Sequence, residues 1–81
     1  LCELTRHFSF AKTAMYIGAV SVTRNRIIVH MLDKVDKKVE LLRENGEWRR
    51  WHFSGSPAFQ DLTLEDVGIA TVLGATSELP V

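Results

Sequence analysis

Apolar residues in the first part of the chain recur at spacings close to the period of an α-helix. Those that precede Ser9 have this spacing and predict the last turns of a first helix. A second, short helix is predicted over residues 10–18, because Ser9 can cap its start and Gly18 can end it.

The clearest helical pattern begins after Thr23, a residue type that favours the position just before a helix. The apolar residues that follow form one stripe on a helix: Ile27, Ile28, Met31, Leu32 and Val35. This stripe predicts a helix over residues 24–36. The opposite face would then carry Arg26, Val29 and His30, with Asn25 at its edge.

Beyond Lys38 the period changes to two, which predicts a β-hairpin over residues 39–53 with its turn at Asn45-Gly46. A three-residue loop with Gly46 in the left-handed conformation gives a uniformly apolar inner face, made of Val39, Leu41, Trp51 and Phe53. The outer face would pair Glu40 with Arg50 and Leu42 with Trp48, which leaves Trp48 partly exposed.

A turn-rich stretch, residues 54–57, divides the predicted domain of residues 1–53 from a C-terminal extension over residues 54–81. Within the extension, Thr63 and Asp66 resemble a capping box and predict a short helix over residues 63–73. The β-branched residues in that stretch also permit a strand.

The chain has 81 residues and a formal net charge of zero. Ten basic and six acidic residues precede Ser54, a net charge of +4, whereas four acidic residues and no basic one follow. This separation is typical of a basic functional part with an acidic appendage.

The sequence contains no recognisable arrangement of catalytic or metal-binding residues. Cys2, His7, His30 and His52 lack the spacing of a zinc site, and the glycines form no phosphate-binding loop. The sequence therefore predicts no catalytic residues, metal or cofactor, and a protein that is not an enzyme. A single cysteine and the lack of an apolar run of about 18 residues predict a cytoplasmic protein outside the membrane.

The predicted order of helix, turn, helix and hairpin over residues 9–53 resembles the winged helix-turn-helix superfamily, in particular small bacterial, phage or plasmid transcription regulators. The resemblance depends on the helix stop at Gly18, the capped helix after Thr23 and the wing turn at Gly46. It implies an α+β fold with a two-stranded wing, and sequence-specific binding of double-stranded DNA in transcription regulation.

The resemblance also implies roles for individual residues. Residues 24–36 would be the recognition helix, and Arg26 would be its main base contact. Further base or phosphate contacts from this helix would be Arg24, Asn25, Val29 and His30. Phosphate contacts alone would come from Lys12, Lys34, Arg43, Arg49 and Arg50.

The predicted wing departs from the DNA-binding pattern, because Glu44 and Glu47 lie at its tip, where they repel phosphate. A rival hypothesis is therefore a winged-helix module that binds protein through Trp48, Leu42 and the acidic extension. For the DNA-binding hypothesis a homodimer is expected, because one small helix in one groove gives limited affinity.

Overall fold

The structure, a computed structural model of the chain, describes residues 7–10, 13–32 and 36–78. It contains a six-stranded antiparallel sheet in which each strand pairs with the next along the chain. The strands are β1 (His7–Phe10), β2 (Thr13–Thr23), β3 (Arg26–Met31), β4 (Lys38–Glu44), β5 (Glu47–Phe53) and β6 (Gln60–Asp61). One helix, α1 (Leu64–Glu78), follows them and packs against β1, β2, β3 and β5 on the concave face of the curled sheet.

The two helices predicted over residues 10–18 and 24–36 are wrong, because Phe10 ends β1, residues 13–18 belong to β2 and residues 26–31 form β3. In β3, Ile27 and Val29 are buried and alternate with residues of the opposite face, which is the period of a strand. The β-branched side chains of both segments favour extended backbone. The winged helix-turn-helix fold is therefore also wrong, and no recognition helix is present in the described part of residues 24–36.

The first predicted helix cannot be assessed over its whole length. Residues 1–6 lie outside the described residues, and His7 and Phe8 belong to β1, not to a helix. The predicted region 63–73 does contain a helix, and not a strand, but it continues to Glu78. Its start is capped as the sequence indicated, because the backbone N–H of Asp66 donates to Thr63 Oγ1 at 3.1 Å.

The β4–β5 hairpin forms, but its predicted three-residue loop is wrong. Asn45 and Gly46 have φ values of 54° and 79°, so they make a two-residue turn in which both residues are left-handed. A β-bulge at Arg49 then places an extra residue in β5, because Arg43 pairs with Trp48 and Leu42 pairs with Arg50.

The bulge restores the apolar inner face that a regular two-residue hairpin would lose. Val39 pairs with Phe53 and Leu41 with Trp51, so the predicted inner set is correct. The predicted outer pairs are wrong, because Glu40 faces His52 and Leu42 faces Arg50. Trp48 is turned to the concave face and is 5% exposed, so the prediction that it is partly exposed is also wrong.

The hydrophobic core lies between the concave face of the sheet and α1. Trp51 is at its centre and meets Phe10 and Phe53 edge-on, with ring centroids 4.8 and 5.0 Å apart. Ala70 and Leu73 supply the buried side of α1. At the end of the helix, Ser77 Oγ donates to the backbone oxygen of Val20 at 3.1 Å and ties α1 to β2.

Candidate anion-binding cleft

A cleft of about 970 Å³ lies at the end of the sheet that carries the β2–β3 turn and the β4–β5 turn. Its lining comes from these turns and the strands beside them, from Asp61 of β6 and from α1. The turns at this end bring Arg24, Arg43 and Arg49 to the cleft from separate parts of the sequence.

Arg43 is held in place by the hairpin. Its position opposite Trp48 puts the guanidinium over the indole ring, 4.5 Å from the centroid, as in a cation–π contact. Its Nη1 donates to the backbone oxygen of Arg24 at 3.5 Å, and its Nε is buried without a hydrogen-bond partner. The side chain therefore has donor capacity that the described protein groups do not use.

The charges of Arg24 and Arg43 are also without ion-pair partners among the described residues. Arg49 differs, because its Nη1 lies 3.7 Å from Glu47 Oε2 at a solvent-exposed position. Glu47 and Asp61 both border the cleft and leave it with an excess of one positive charge over its five charged residues.

Apolar side chains also line the cleft: Val22 from β2, Leu64 and Val67 from α1, and Leu62, which follows β6. Leu64 is 93% exposed. The cleft therefore combines cationic donors with an apolar surface, as ligand sites commonly do.

The DNA-binding residues predicted on the first part of the chain are dispersed by the fold. Of the described residues of the predicted helix, Arg24 alone lines the cleft. Asn25 lies in the β2–β3 turn, where its backbone oxygen accepts from Arg43 N at 2.9 Å. Val29 faces the core and not outward, with 1% of its surface exposed, and His30 is exposed on the convex face.

The remaining predicted contacts divide into three groups. Arg43 and Arg49 line the cleft. Arg26 and Arg50 lie on the convex face, each 2.7 Å from a carboxylate oxygen, of Glu40 and Glu44 respectively. Lys12 and Lys34 lie outside the described residues.

The protein-binding patch predicted at Trp48 and Leu42 is not formed. The two side chains lie on opposite faces of the hairpin, because the two-residue turn places Trp48 opposite Arg43, whose side chain is on the other face of β4 from Leu42. Sequence reasoning also missed the stacking of Arg43 on Trp48. The turn contained the signal, since a two-residue loop at Asn45-Gly46 places residues 43 and 48 opposite each other.

In the described ranges, no group of three or more metal-ligating side chains comes together. The single helix found there is too short and too polar to cross a membrane. Comparisons with protein-family models, with curated proteins and with solved structures give no match to this chain.

Proposed function

We propose that this domain is a binding module whose cleft takes a small amphiphilic anion, a molecule with one carboxylate or phosphate group and an apolar body. The observation that carries the proposal is the pair of arginines, Arg24 and Arg43, which have no ion-pair partner in the described chain and line the cleft together with apolar side chains. The arginines match the anionic group of such a ligand, and the apolar residues of the cleft match its apolar body.

The anionic group would bind at the arginines. A guanidinium presents several N–H donors in a planar arrangement that suits carboxylate and phosphate oxygens. The stacking of Arg43 on Trp48 restricts this side chain before a ligand arrives. Less side-chain entropy is then lost on binding than for a freely moving arginine.

The apolar body would lie along Leu64 and Val67 of α1 and Val22 of β2. Each square ångström of apolar surface removed from water contributes about 25 cal/mol. The cleft volume of about 970 Å³ lies near the upper end of the usual range for small-molecule sites. It leaves room for an aliphatic chain as well as the charged group.

Glu47 and Asp61 favour a ligand with a single charged group over a polyanion. Both border the cleft, so a strand of phosphates that follows its length meets negative charge as well as positive. The prediction of DNA binding depended on a recognition helix over residues 24–36, and residues 26–31 form β3 instead. A duplex therefore serves as a comparison in the experiment.

The test is a titration with octanoate, with acetate and 1-octanol as controls that lack the apolar chain or the charge. Binding is measured by calorimetry and by the fluorescence of Trp48. We expect octanoate to bind at least about tenfold more tightly than either control, because each control loses one half of the contact, worth about 1.4 kcal/mol or more.

Variants locate the binding site. Arg43→Gln should weaken octanoate binding about tenfold and Arg24→Gln about threefold, because Arg43 is the more buried and better ordered donor. Lys37→Gln removes the same charge at the opposite end of the sheet and should leave binding unchanged. Equal losses in all three variants, or salt-sensitive duplex binding without octanoate binding, would contradict the proposal.

A further inference from the structure

His52 is the centre of a second cluster, on the convex face and away from the cleft. Its Nε2 lies 2.9 Å from Glu40 Oε1, which joins β5 to β4. Its Nδ1 lies 2.9 Å from the backbone oxygen of Phe53 and 3.0 Å from that of Ser56. The ring of Phe59 covers it, with centroids 4.3 Å apart.

Both ring nitrogens of His52 therefore face acceptors. A neutral imidazole carries one N–H, so either tautomer turns a lone pair toward Glu40 or toward the two carbonyls. Only the doubly protonated ring donates in both directions. Burial lowers the pKa of His52, but the hydrogen bonds to Glu40 and the two carbonyls, with the charge of Glu40, outweigh it and raise the pKa above 6.5.

The charges around His52 come from four strands. Arg26 on β3 lies 2.7 Å from the other carboxylate oxygen of Glu40. The negative charge of Glu40 is therefore shared between Arg26 and His52. Lys38 precedes Glu40 on the same face of β4. On the far side, Arg50 of β5 lies over Phe59 at 5.4 Å and pairs across the sheet with Asp61 of β6. Glu40 is the carboxylate in direct contact with the ring.

The contacts of His52 hold the start of a segment that ends at the cleft. Ser56 is bound through its oxygen to His52 and through its N–H to the Phe53 oxygen at 2.9 Å. The chain then passes Phe59 and enters β6, which has two residues. Leu62 follows, donates to the Arg49 oxygen at 2.8 Å and lines the cleft.

We propose that His52 is a proton-operated clasp, whose imidazolium form holds residues 56–59 against the sheet and so positions β6 and Leu62, and whose deprotonation releases them. This device goes beyond ligand binding and depends only on the contacts of the convex face. Because the folded-state pKa is raised, the stabilisation is fully present below about pH 6.5 and is lost as the pH rises through the folded-state pKa.

Amide hydrogen exchange of the ligand-free protein tests the clasp, with His52 and His30 titrated by NMR in the same samples. After correction for intrinsic rates, the opening equilibria at Ser56 and Leu62 should increase about tenfold as His52 deprotonates, since a charge-assisted hydrogen bond is lost. Unchanged opening across the His52 titration would overturn the proposal.

Two variants of the cluster and one control variant separate the effect of the proton on His52 from the effect of its packing. His52→Gln should leave the segment open at every pH, whereas His30→Gln, the matched control, should keep the pH dependence. Glu40→Gln retains the ring and should move the opening to lower pH, because the negative partner is gone, and it serves if His52→Gln fails to fold. A midpoint of opening that stays the same in Glu40→Gln would show that the His52–Glu40 contact is not the clasp.

Discussion

The two faces of the sheet use the same strands in different ways. On the concave face, alternate residues are buried under α1 and form the hydrophobic core. On the convex face, Arg26 and Arg50 lie within 2.7 Å of Glu40 and Glu44. The end of the sheet that carries the cleft belongs to neither pattern, because Arg24 and Arg43 lie there without carboxylate partners in the described chain. The comparison separates arginines engaged in structural pairs from arginines available to a ligand.

The largest effect should distinguish two neighbouring leucines on opposite faces of β4. Leu41 is 1% exposed in the core, and Leu42 is half-buried on the convex face. We expect Leu41→Ala to lower the free energy of unfolding by about 3 kcal/mol, from lost burial and a residual cavity, and Leu42→Ala by about 1 kcal/mol or less. Urea unfolding followed by tryptophan fluorescence measures both. Similar losses would mean that the two faces contribute equally.

Part of the fold could be predicted from the sequence, because its signals lie in residues adjacent along the chain. Asn45-Gly46 and Thr63 are local signals, because backbone conformation at a turn and a helix cap depends on adjacent residues. β2 and β3 are also joined by a two-residue turn, Arg24-Asn25, but this turn lacks the Asn-Gly signal of the β4–β5 hairpin. The apolar positions of β2 and β3 fit a helix as well as a strand, and the pairing of β2 with β1 and of β3 with β4 decides between the two patterns.

The cleft was hidden for a related reason. Arg24, Arg43 and Arg49 were recognised as cations, but their convergence depends on two turns that lie at the same end of the sheet. The two-residue turn places Trp48 on the concave face, and the extra residue in β5 keeps Trp51 on that same face, because a shift of one residue turns a strand's side chains to the other face. The sequence therefore predicted several residues of the site without predicting the site.

A smaller effect on the free energy of unfolding should come from a substitution at the β-bulge in β2. The register shifts between Ile17 and Ala19, at Gly18. A Cβ at Gly18 would lie 3.1 Å from Leu32 Cα and 3.3 Å from the His30 oxygen, both of which are backbone atoms. We expect Gly18→Ala to lower the free energy of unfolding by about 1–2 kcal/mol, because the two strands must separate.

Gly68 is the matched control for that substitution. A Cβ at Gly68 meets no atom within 4 Å, and the residue lies on the exposed side of α1. Gly68→Ala should therefore raise the free energy of unfolding by about 0.5–1 kcal/mol, as expected from helix propensity. Chemical denaturation measures both variants. A gain in stability for Gly18→Ala would show that β2 and β3 are less closely packed at the bulge than the contacts indicate.

The smallest effect tests the two classes of arginine directly. Arg26 forms an ion pair with Glu40, whose side chain is 16% exposed, so Arg26→Gln should lower the free energy of unfolding by about 0.5–1 kcal/mol. Arg24→Gln removes the same charge two residues earlier but breaks no ion pair, and the free energy of unfolding should stay within measurement error. High salt should narrow the difference, because it screens the Arg26 pair. If Arg24→Gln costs as much stability as Arg26→Gln, Arg24 is engaged in the fold, and its assignment as a cation available to a ligand is wrong.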